Sequence, residues 1–256
     1  MANQINHFSQ LLKDHVQQLE CGRTKLFLVG PVQLPITLEG ETVTFQWYSW
    51  LSGENLPEDC GTLLKRLPSL QLENFQQSSV LVYGNFKSSS NAVIRMHSIC
   101  HTGDIFGSKR CDCGSQLSKS LQQIIEFGSG ALFYLANHEG RGIGLFSKAF
   151  TYLLQEQGLD TVEANLALGF PEDARTYEEA LTVLQHLRKG QVTLLTNNPN
   201  KLNALRNAGL QETKMVSLWG DVTQYNQNYI KTKIKKSGHQ MNEEQQSLLL
   251  QPAENR

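Results

Sequence analysis

The chain has 256 residues, 39% of them hydrophobic, and a formal net charge of −1. This length and apolar content suffice for one substantial α/β core or two small ones, and we expect one main domain. A charge so close to zero argues against a general binder of nucleic acids or anionic membranes. The amino-terminal residues lack a basic segment followed by an apolar core, and no apolar run is long enough to span a bilayer. We therefore expect a cytoplasmic protein that binds neither nucleic acid nor membrane.

The segment before residue 80 predicts a helix, short strands and a surface insertion. Apolar residues recur at helical spacing from Ile5 to Leu19, which predicts an opening amphipathic helix that ends before Gly22. Three short strands are expected next, over residues 25–30, 32–38 and 43–47. From about 51 to 79 the chain is rich in Gly, Pro, Ser, Glu and Gln, which predicts a variable surface insertion. We expect Cys60 within it to be a spare thiol.

Three of the five cysteines fall within one stretch, residues 95–116, which reads RMHSICHTGDIFGSKRCDCGSQ. Cys100, Cys111 and Cys113 have the spacing C-x10-C-x-C. Thiols at this density, in a chain without a secretory signature, are more often metal ligands than disulfide partners. Zinc is the natural candidate, and three sulfurs would leave its fourth tetrahedral position open, as in catalytic sites. The alternative is three buried thiols that bind nothing.

The apolar runs at residues 79–84 and 91–98 flank a polar linker and predict a β-hairpin that brings Cys100 to the end of a strand. A helix expected from Gly114 to Gly128 then places the other two cysteines of the stretch at its amino terminus. There the helix dipole and the free N–H groups stabilise thiolate charge.

A buried strand is expected at residues 131–136, and a helix at residues 145–157. Between them lies the loop Glu139-Gly140-Arg141-Gly142-Ile143-Gly144, whose glycines would let the backbone approach a phosphate closely. The glycine spacing matches neither the dinucleotide fingerprint nor the P-loop, so a plain structural turn is the alternative.

The last third of the chain alternates between loops, helices and strands. Asp173 and Arg175 stand two apart in a polar loop, residues 160–177, where a helix-start carboxylate beside a solvated arginine is the simpler interpretation. A helix ending at Gly190 precedes a buried strand from Gln191, and polar residues follow that strand, where open α/β sheets collect ligands. Expected beyond it are a helix to residue 209, a strand at 215–219, a basic patch at 231–236 and a mobile tail at 241–256.

Five blocks of sequence form a set: RMHSICHTGDIFGSKRCDCGSQL, EGRGIGL, DTVEAN, LGFPEDAR and LLTNNPNK. In this order and at these separations they resemble the GTP cyclohydrolase II family, and the similarity runs from about Val80 to His239. The resemblance implies the fold of that family, an α/β fold with a mixed β-sheet layered with helices. It also implies that residues 80–240 form the catalytic domain, preceded by the helix, strands and insertion of residues 1–79.

The family opens the imidazole ring of GTP and releases formate and pyrophosphate, which is the first step of riboflavin biosynthesis. The resemblance implies the same reaction here, with 2,5-diamino-6-hydroxy-4-(5-phosphoribosylamino)pyrimidine as the product. It implies one Zn²⁺ per chain, held by Cys100, Cys111 and Cys113, because hydration of C8 at neutral pH needs a hydroxide that such a metal supplies. Mg²⁺ is expected with the substrate phosphates, and a homodimer is the expected assembly.

Three positions match the catalytic residues of the family. The match implies that Tyr152 orients the water or relays a proton, that Asp173 accepts a proton, and that Arg175 is the nucleophile toward the α phosphate. The last role conflicts with the chemistry of guanidinium, which stays protonated in nearly all protein settings. Stabilisation of charge on the transferring phosphorus is therefore the alternative for Arg175.

The resemblance also implies a set of GTP-binding positions. Arg95, Arg141 and Lys201 can offset the charge of a triphosphate, because guanidinium and ammonium groups pair well with phosphate oxygens. A carboxylate or an amide, such as Glu139 or Gln116, suits the N1–H and 2-amino edge of guanine. The complete set is Arg95, His97, Ser98, Gln116, Glu139, Gly140, Arg141, Thr161, Thr196 and Lys201.

Some residues depart from the pattern of the family: Ile99 replaces a glutamate, Asn137-His138 replace Arg-Gln, and Leu166 replaces a histidine. Isoleucine cannot accept a hydrogen bond, so base choice could differ. The alternatives to an active GTP cyclohydrolase II are a diverged paralogue that acts on another nucleotide or gives a different product, and a zinc-binding relative without turnover. A zinc nucleobase deaminase is disfavoured because the chain has no H-x-E followed by P-C-x-x-C.

Overall fold

The computed structural model describes residues 10–53, 55–74 and 77–241. Its strands are β1 Val16–Cys21, β2 Thr24–Leu38, β3 Glu41–Gly53, β4 Ser78–Gly84, β5 Asn91–Ser98, β6 Ser129–Leu135, β7 Gln191–Leu195 and β8 Lys214–Val216. They form one sheet in the order β1-β2-β3-β4-β6-β5-β7-β8. Pairing is antiparallel from β1 through β4 to β6, and parallel from β6 through β5 and β7 to β8. The predicted mixed sheet is therefore confirmed.

The helices lie around this sheet and match most of the predicted ones. They are α1 Cys60–Arg66, α2 Cys113–Phe127, α3 Leu145–Glu156, α4 Thr161–Ala167, α5 Glu178–Leu187, α6 Pro199–Asn207 and α7 Gln227–Ser237. The short helices α1 and α4 and the carboxyl-terminal α7 were not predicted. No helix in the described part of the chain is both long and apolar enough to cross a membrane.

The predicted opening helix is wrong from Val16 onward. Residues 10–14 are helical, but β1 begins at Val16 and pairs with β2 along its whole length. A few apolar residues at helical spacing are a weak signal, and pairing with a long neighbouring strand outweighs it. Residues 1–9, where the predicted helix began, and residues 242–256, the predicted mobile tail, lie outside the described residues.

The predicted β-hairpin of residues 79–98 is also wrong, because β6 lies between β4 and β5. The physical reason is burial. Residues 92–97 of β5 are all buried, as expected for a parallel strand with a neighbour on each side. The linker is held by Arg188, whose guanidinium donates hydrogen bonds to the carbonyl oxygens of Phe86 and Ser89. β5 nevertheless ends two residues before Cys100, which therefore lies at the end of a strand, as predicted.

The segment at residues 51–79 is more ordered than the predicted surface insertion. β3 continues to Gly53, and α1 follows with Asp59 as its amino-terminal cap. Leu63 of α1 packs with Val16 and Phe27 in a small apolar cluster, so this segment covers one end of the sheet. The predicted boundary between residues 79 and 80 falls inside β4, and the division into a catalytic and a preceding part stays a proposal.

Two apolar cores lie on opposite faces of the sheet. Ile94 and Met96 of β5 belong to one core, which includes residues of α5 and α6, whereas Val93 belongs to the other, with Leu121 and Ile124 of α2. Successive side chains of a strand point to opposite faces, which explains this division. The carboxyl ends of β5, β6 and β7 meet at one edge, and the polar residues of the candidate site follow them.

Candidate active site and metal centre

The three predicted metal ligands lie together. Cys100 follows β5, and a short π-helical turn, His101–Ile105, leads toward Cys111 and then Cys113, the first residue of α2. Their ligand atoms lie within 4.8 Å of one another, and the sulfurs of Cys100 and Cys111 are 3.6 Å apart. Tetrahedral zinc with Zn–S bonds of about 2.3 Å places its sulfurs about 3.8 Å apart. The spacing of the thiols therefore fits zinc.

The chemistry of the cluster also calls for a cation. Hydrogen bonds within the cluster lower the pKa of the Cys100 thiol and raise the pKa of the Cys111 and Cys113 thiols. Three neighbouring thiols cannot all ionise unless a positive ion offsets their repulsion. Room is left beside them by Gly103, where a Cβ would lie 2.9 Å from the Cys111 sulfur. The residues present therefore suit a thiolate-bound metal.

Tyr152 lies beside this cluster, on α3. Its hydroxyl is 3.1 Å from Oγ1 of Thr102, which is itself 3.7 Å from the Cys100 sulfur. The guanidinium of Arg110 covers the tyrosine ring at 4.4 Å from its centroid and fixes its orientation. Burial raises the pKa of Tyr152, so at neutral pH the phenol keeps its proton and can donate it.

Glu139 lies in the loop after β6, where it has three hydrogen-bond partners. Lys148 donates to its Oε1 at 2.6 Å, the backbone N–H of His101 donates to Oε2 at 2.7 Å, and the N–H of Gly140 donates to Oε1 at 3.2 Å. The side chain is buried. In this conformation Glu139 holds the segment that follows Cys100 in place through His101. Both oxygens of its carboxylate already accept hydrogen bonds from the protein, so few acceptor positions remain for a guanine edge. The loop itself uses left-handed conformations at Gly140 and Arg141, with φ of 60° and 66°.

The side-chain amide of Gln116 is also occupied by hydrogen bonds within the protein. Its Oε1 accepts a hydrogen bond from Arg95 at 2.7 Å, and its Nε2 donates to Asp112 at 2.7 Å. Asp112 also accepts from Lys233 at 2.7 Å, and this ion pair holds its pKa below the ordinary value although burial alone would raise it. These hydrogen bonds connect Lys233 of α7, through Asp112 and Gln116, to Arg95 of β5. The basic patch predicted at residues 231–236 thus contributes Lys233 to the site.

Asp173 and Arg175 form a two-point ion pair. Nε of Arg175 donates to Oδ1 of Asp173 at 2.8 Å, and one terminal nitrogen donates to Oδ2 at 2.6 Å. Burial lowers the pKa of Arg175, but the effects of Tyr177 and Asp173 outweigh it, so the net pKa is raised above the ordinary value. The guanidinium therefore keeps its proton. Arg175 lines the cavity described next, whereas Asp173 is not among its lining residues.

One cavity unites the remaining predicted residues. Its lining includes the three cysteines, Tyr152, Arg175 and the whole set of ten GTP-binding positions predicted from the sequence. Lys201 lies within it, donates to the carbonyl of Met96 at 2.7 Å, and has its pKa lowered by burial and by the nearby guanidinium of Arg95. Nε2 of His97 forms a hydrogen bond with a carboxylate oxygen of Asp104, at 3.0 Å. Thr161 opens α4, and Thr196 directly follows β7.

Several residues of this cavity were not predicted as site residues. They are Ile99, Arg110, His138, Lys148, Thr151, Gln155, Asn165, Asn197, Asn198, Tyr229, Lys233, Ser237 and His239. Lys148 had a usable signal, since it precedes Tyr152 by four residues on one helix and so shares its face. Lys233 had only the basic patch at residues 231–236 as a signal, because its contact with Asp112 depends on the tertiary fold. Of the departures from the family pattern, Ile99 and His138 line the cavity, whereas Leu166 is exposed.

The parallel strands thus bring thiols suited to a metal, a buried tyrosine and a group of cations to one edge of a mixed sheet. A site of this kind, on this fold, defines an α/β enzyme of the hydrolase class. The model of the GTP cyclohydrolase II family matches residues 69–217, which is more than half of the chain. The chain belongs to the GTP cyclohydrolase II family.

The similarity of the chain to individual proteins supports the same family. A GTP cyclohydrolase-2 of Colwellia psychrerythraea is 45% identical over 169 residues, which are 66% of this chain and 83% of that protein. Proteins named riboflavin biosynthesis protein RibBA are 43% identical over 185 residues in Phocaeicola vulgatus and 44% identical over 187 residues in Bacillus mycoides. Those matches cover 72% and 73% of this chain but only 45% and 47% of the two relatives.

Proposed function

We propose that the chain is a GTP cyclohydrolase II, which opens the imidazole ring of GTP, releases formate and pyrophosphate, and gives 2,5-diamino-6-hydroxy-4-(5-phosphoribosylamino)pyrimidine. This reaction is the first step of riboflavin biosynthesis. The observation that carries the proposal is one cavity lined both by three clustered thiols and by Arg95, Arg175 and Lys201. The thiols suit the ring-opening chemistry, and the cations suit a triphosphate.

The ring-opening half of the site consists of the cysteines and Tyr152. Cys100, Cys111 and Cys113 would hold one Zn²⁺ per chain, which when bound supplies a hydroxide nucleophile at neutral pH. The phenol of Tyr152 lies close enough to the cluster to orient a water or to pass a proton to an imidazole nitrogen of the substrate. Thr102 and Arg110 hold that phenol in place. Free thiols of this kind suit the cytoplasmic location that we also propose.

The phosphate half of the site is built around Arg175. Because Asp173 keeps its guanidinium charged, we assign Arg175 to stabilise negative charge on the transferring phosphorus rather than to attack it. Asp173 then orients Arg175, and it accepts a proton only if substrate loosens the pair. Arg95, Arg141 and Lys201 would offset the remaining charge of the triphosphate, with Mg²⁺ on its oxygens.

The base-binding part of the cavity supports a second candidate. Glu139 and Gln116, which were expected to bind the guanine edge, are both engaged by protein partners, and Ile99 offers no hydrogen bond. Recognition of guanine therefore requires rearrangement of one of these contacts or a different donor and acceptor set. A diverged paralogue that acts on another nucleotide is the alternative that these contacts favour.

We also propose a homodimer, through a different surface from the opening helix. The outer face of α3 exposes Phe146, Phe150 and Leu153, with exposed fractions of 79%, 46% and 58%. The two phenylalanine rings contact each other edge to face, so they form one apolar patch. Patches of this kind mark protein interfaces more often than open surface, and a second copy of the chain is the occupant that we propose.

The test of function is direct. Pure protein is supplied with Zn²⁺, Mg²⁺ and GTP, and formate, pyrophosphate and the pyrimidine are quantified, with ITP and ATP in parallel. Release of formate and pyrophosphate from GTP in equal amounts is the expected result. Turnover of ITP or ATP but not of GTP selects the diverged paralogue. Absence of turnover with every nucleotide, despite one bound zinc per chain, makes the chain a non-catalytic relative and ends the proposal.

A further inference from the structure

A chain of hydrogen bonds leads from the buried imidazole of His138 to Arg175. Nε2 of His138 lies 2.7 Å from the carbonyl oxygen of Thr176, and Nδ1 lies 3.1 Å from the hydroxyl of Ser98. A terminal nitrogen of Arg175 lies 3.2 Å from the same hydroxyl. His138 is only 2% exposed, and the ring of Tyr177 packs against its edge. The mechanism proposed above makes no use of this imidazole.

The chemistry of the partners fixes the direction of every bond in the chain. The carbonyl of Thr176 can only accept, so Nε2 of His138 carries the proton. Nδ1 is then a bare acceptor, and the hydroxyl of Ser98 must donate to it. The oxygen of Ser98 consequently presents its lone pairs to Arg175, whose N–H groups can only donate. No other assignment satisfies all four groups while the imidazole is neutral.

The electrostatic surroundings keep the imidazole neutral. Burial, together with the nearby charges of Arg175 and Lys201, lowers the pKa of His138 to about 3, against the opposing effects of the Thr176 carbonyl and the Asp173 carboxylate. A protonated ring would direct a second N–H at Ser98 and turn its hydroxyl toward the guanidinium. That arrangement would place two donors against each other, so the neutral ring suits the observed geometry.

We propose that His138 is a positioning residue that fixes the orientation of Arg175 through the hydroxyl of Ser98. This proposal rests on the phosphate role assigned to Arg175 above. Asp173 holds one edge of the guanidinium and Ser98 holds another nitrogen, so three of its five N–H groups are used. The two that remain belong to the terminal nitrogens and are available for a phosphate in the cavity. His138 therefore helps to select which N–H groups meet the substrate.

The kinetic test compares His138→Leu with His138→Gln, in the wild-type chain and in a Ser98→Ala background. Loss of the acceptor in His138→Leu should lower kcat for pyrophosphate release about tenfold, because a misplaced catalytic group loses rate rather than binding, and should leave KM for GTP within about twofold. Glutamine can donate with its nitrogen and accept with its oxygen, so His138→Gln should recover most of kcat. In the Ser98→Ala background, His138→Leu should change kcat by less than about twofold. Equal losses in both backgrounds would overturn the proposal.

A spectroscopic test determines which nitrogen of the His138 imidazole carries the proton, and it needs no enzymatic turnover. In the zinc-loaded protein, the ¹⁵N signals of His138, assigned with the His138→Gln variant, should show protonated Nε2 and unprotonated Nδ1 at every pH from 5.5 to 8. Ser98→Ala should shift only the Nδ1 signal of that ring. A proton on Nδ1, or a Nδ1 signal insensitive to Ser98→Ala, contradicts the proposal even if the chain proves inactive toward GTP. This result stands if His138→Leu fails to fold.

Discussion

Lys148 places its ammonium nitrogen 3.3 Å from the sulfur of Cys100 and, at the same time, 2.6 Å from a carboxylate oxygen of Glu139. Both neighbours are buried, and the lysine side chain is 9% exposed. Burial alone would lower the pKa of Lys148, but Cys100, Tyr152 and Glu139 together raise it above the ordinary value. A single cation therefore contacts both Cys100, a candidate metal ligand, and Glu139 in the loop after β6, and joins the two.

Replacement of Lys148 by methionine tests this joint role. The change leaves the Glu139 carboxylate buried without its counter-ion, so we expect the free energy of unfolding to fall by about 3 kcal/mol. Zinc affinity should fall about tenfold or more, as when a contact to a metal ligand is lost. Urea denaturation and chelator competition measure the two effects. The double variant Lys148→Met/Glu139→Gln should regain most of the stability, and a single variant as stable as the wild type would disprove the pairing.

Removal of one sulfur tests the metal centre. Cys111→Ser should lose most of the bound zinc and all ring opening, because two thiolates and a hydroxyl hold zinc poorly. Elemental analysis and formate release give the two readings. Cys60→Ser is the matched control, since that thiol lies in α1 and donates to the carbonyl of Val16, outside the cluster. Full zinc content in Cys111→Ser would show that the metal is bound elsewhere.

Acid should destabilise the fold through its buried imidazoles. Burial lowers the pKa of both His138 and His239 to about 3, whereas an unfolded histidine titrates near 6.5. Between these values the unfolded state binds more protons, so the free energy of unfolding falls as the pH falls below about 6.5. For metal-free protein we expect a loss of about 1 kcal/mol per histidine between pH 7 and 5.5. Urea titrations of the wild type and of His138→Gln measure it, and an unchanged pH dependence in the variant would refute the assignment.

The exposed face of α3 gives a prediction about assembly. Phe146→Glu places a charge in the centre of the apolar patch, so sedimentation equilibrium should show a monomer where the wild type is a dimer. Phe127→Glu is the control, because Phe127 is also exposed, at 49%, but lies on α2. A wild-type monomer, or a dimer that survives Phe146→Glu and dissociates with Phe127→Glu, would show that the proposed interface is wrong.

Local patterns predicted the elements that carry the metal ligands. Cys100 does lie just beyond a strand, and α2 begins at Cys113, because an apolar run of strand length and a glycine-bounded helix are signals within a few residues. The polar end of β7 was predicted for the same reason. These predictions needed no knowledge of which strands become neighbours.

The order of the strands and the long-range partners could not be predicted in this way. The placement of β6 between β4 and β5 depends on pairing between segments far apart in sequence. The ion pair of Asp112 with Lys233 joins residues 121 apart, and nothing near either residue indicates the other. The contacts of Lys233 and of His138 could therefore be assigned only from the fold.

β5 carries Arg95 and His97 on one face and ends two residues before Cys100. Its parallel pairing with β6 and β7 sets the register of all three positions at once. A slip by one residue would turn Ile94 and Met96 into the cavity and withdraw the arginine and the histidine together. We therefore expect any change in the alignment of this strand to displace the proposed phosphate-binding residues and the first candidate metal ligand in a single step, whereas changes in the peripheral loops leave all three in place.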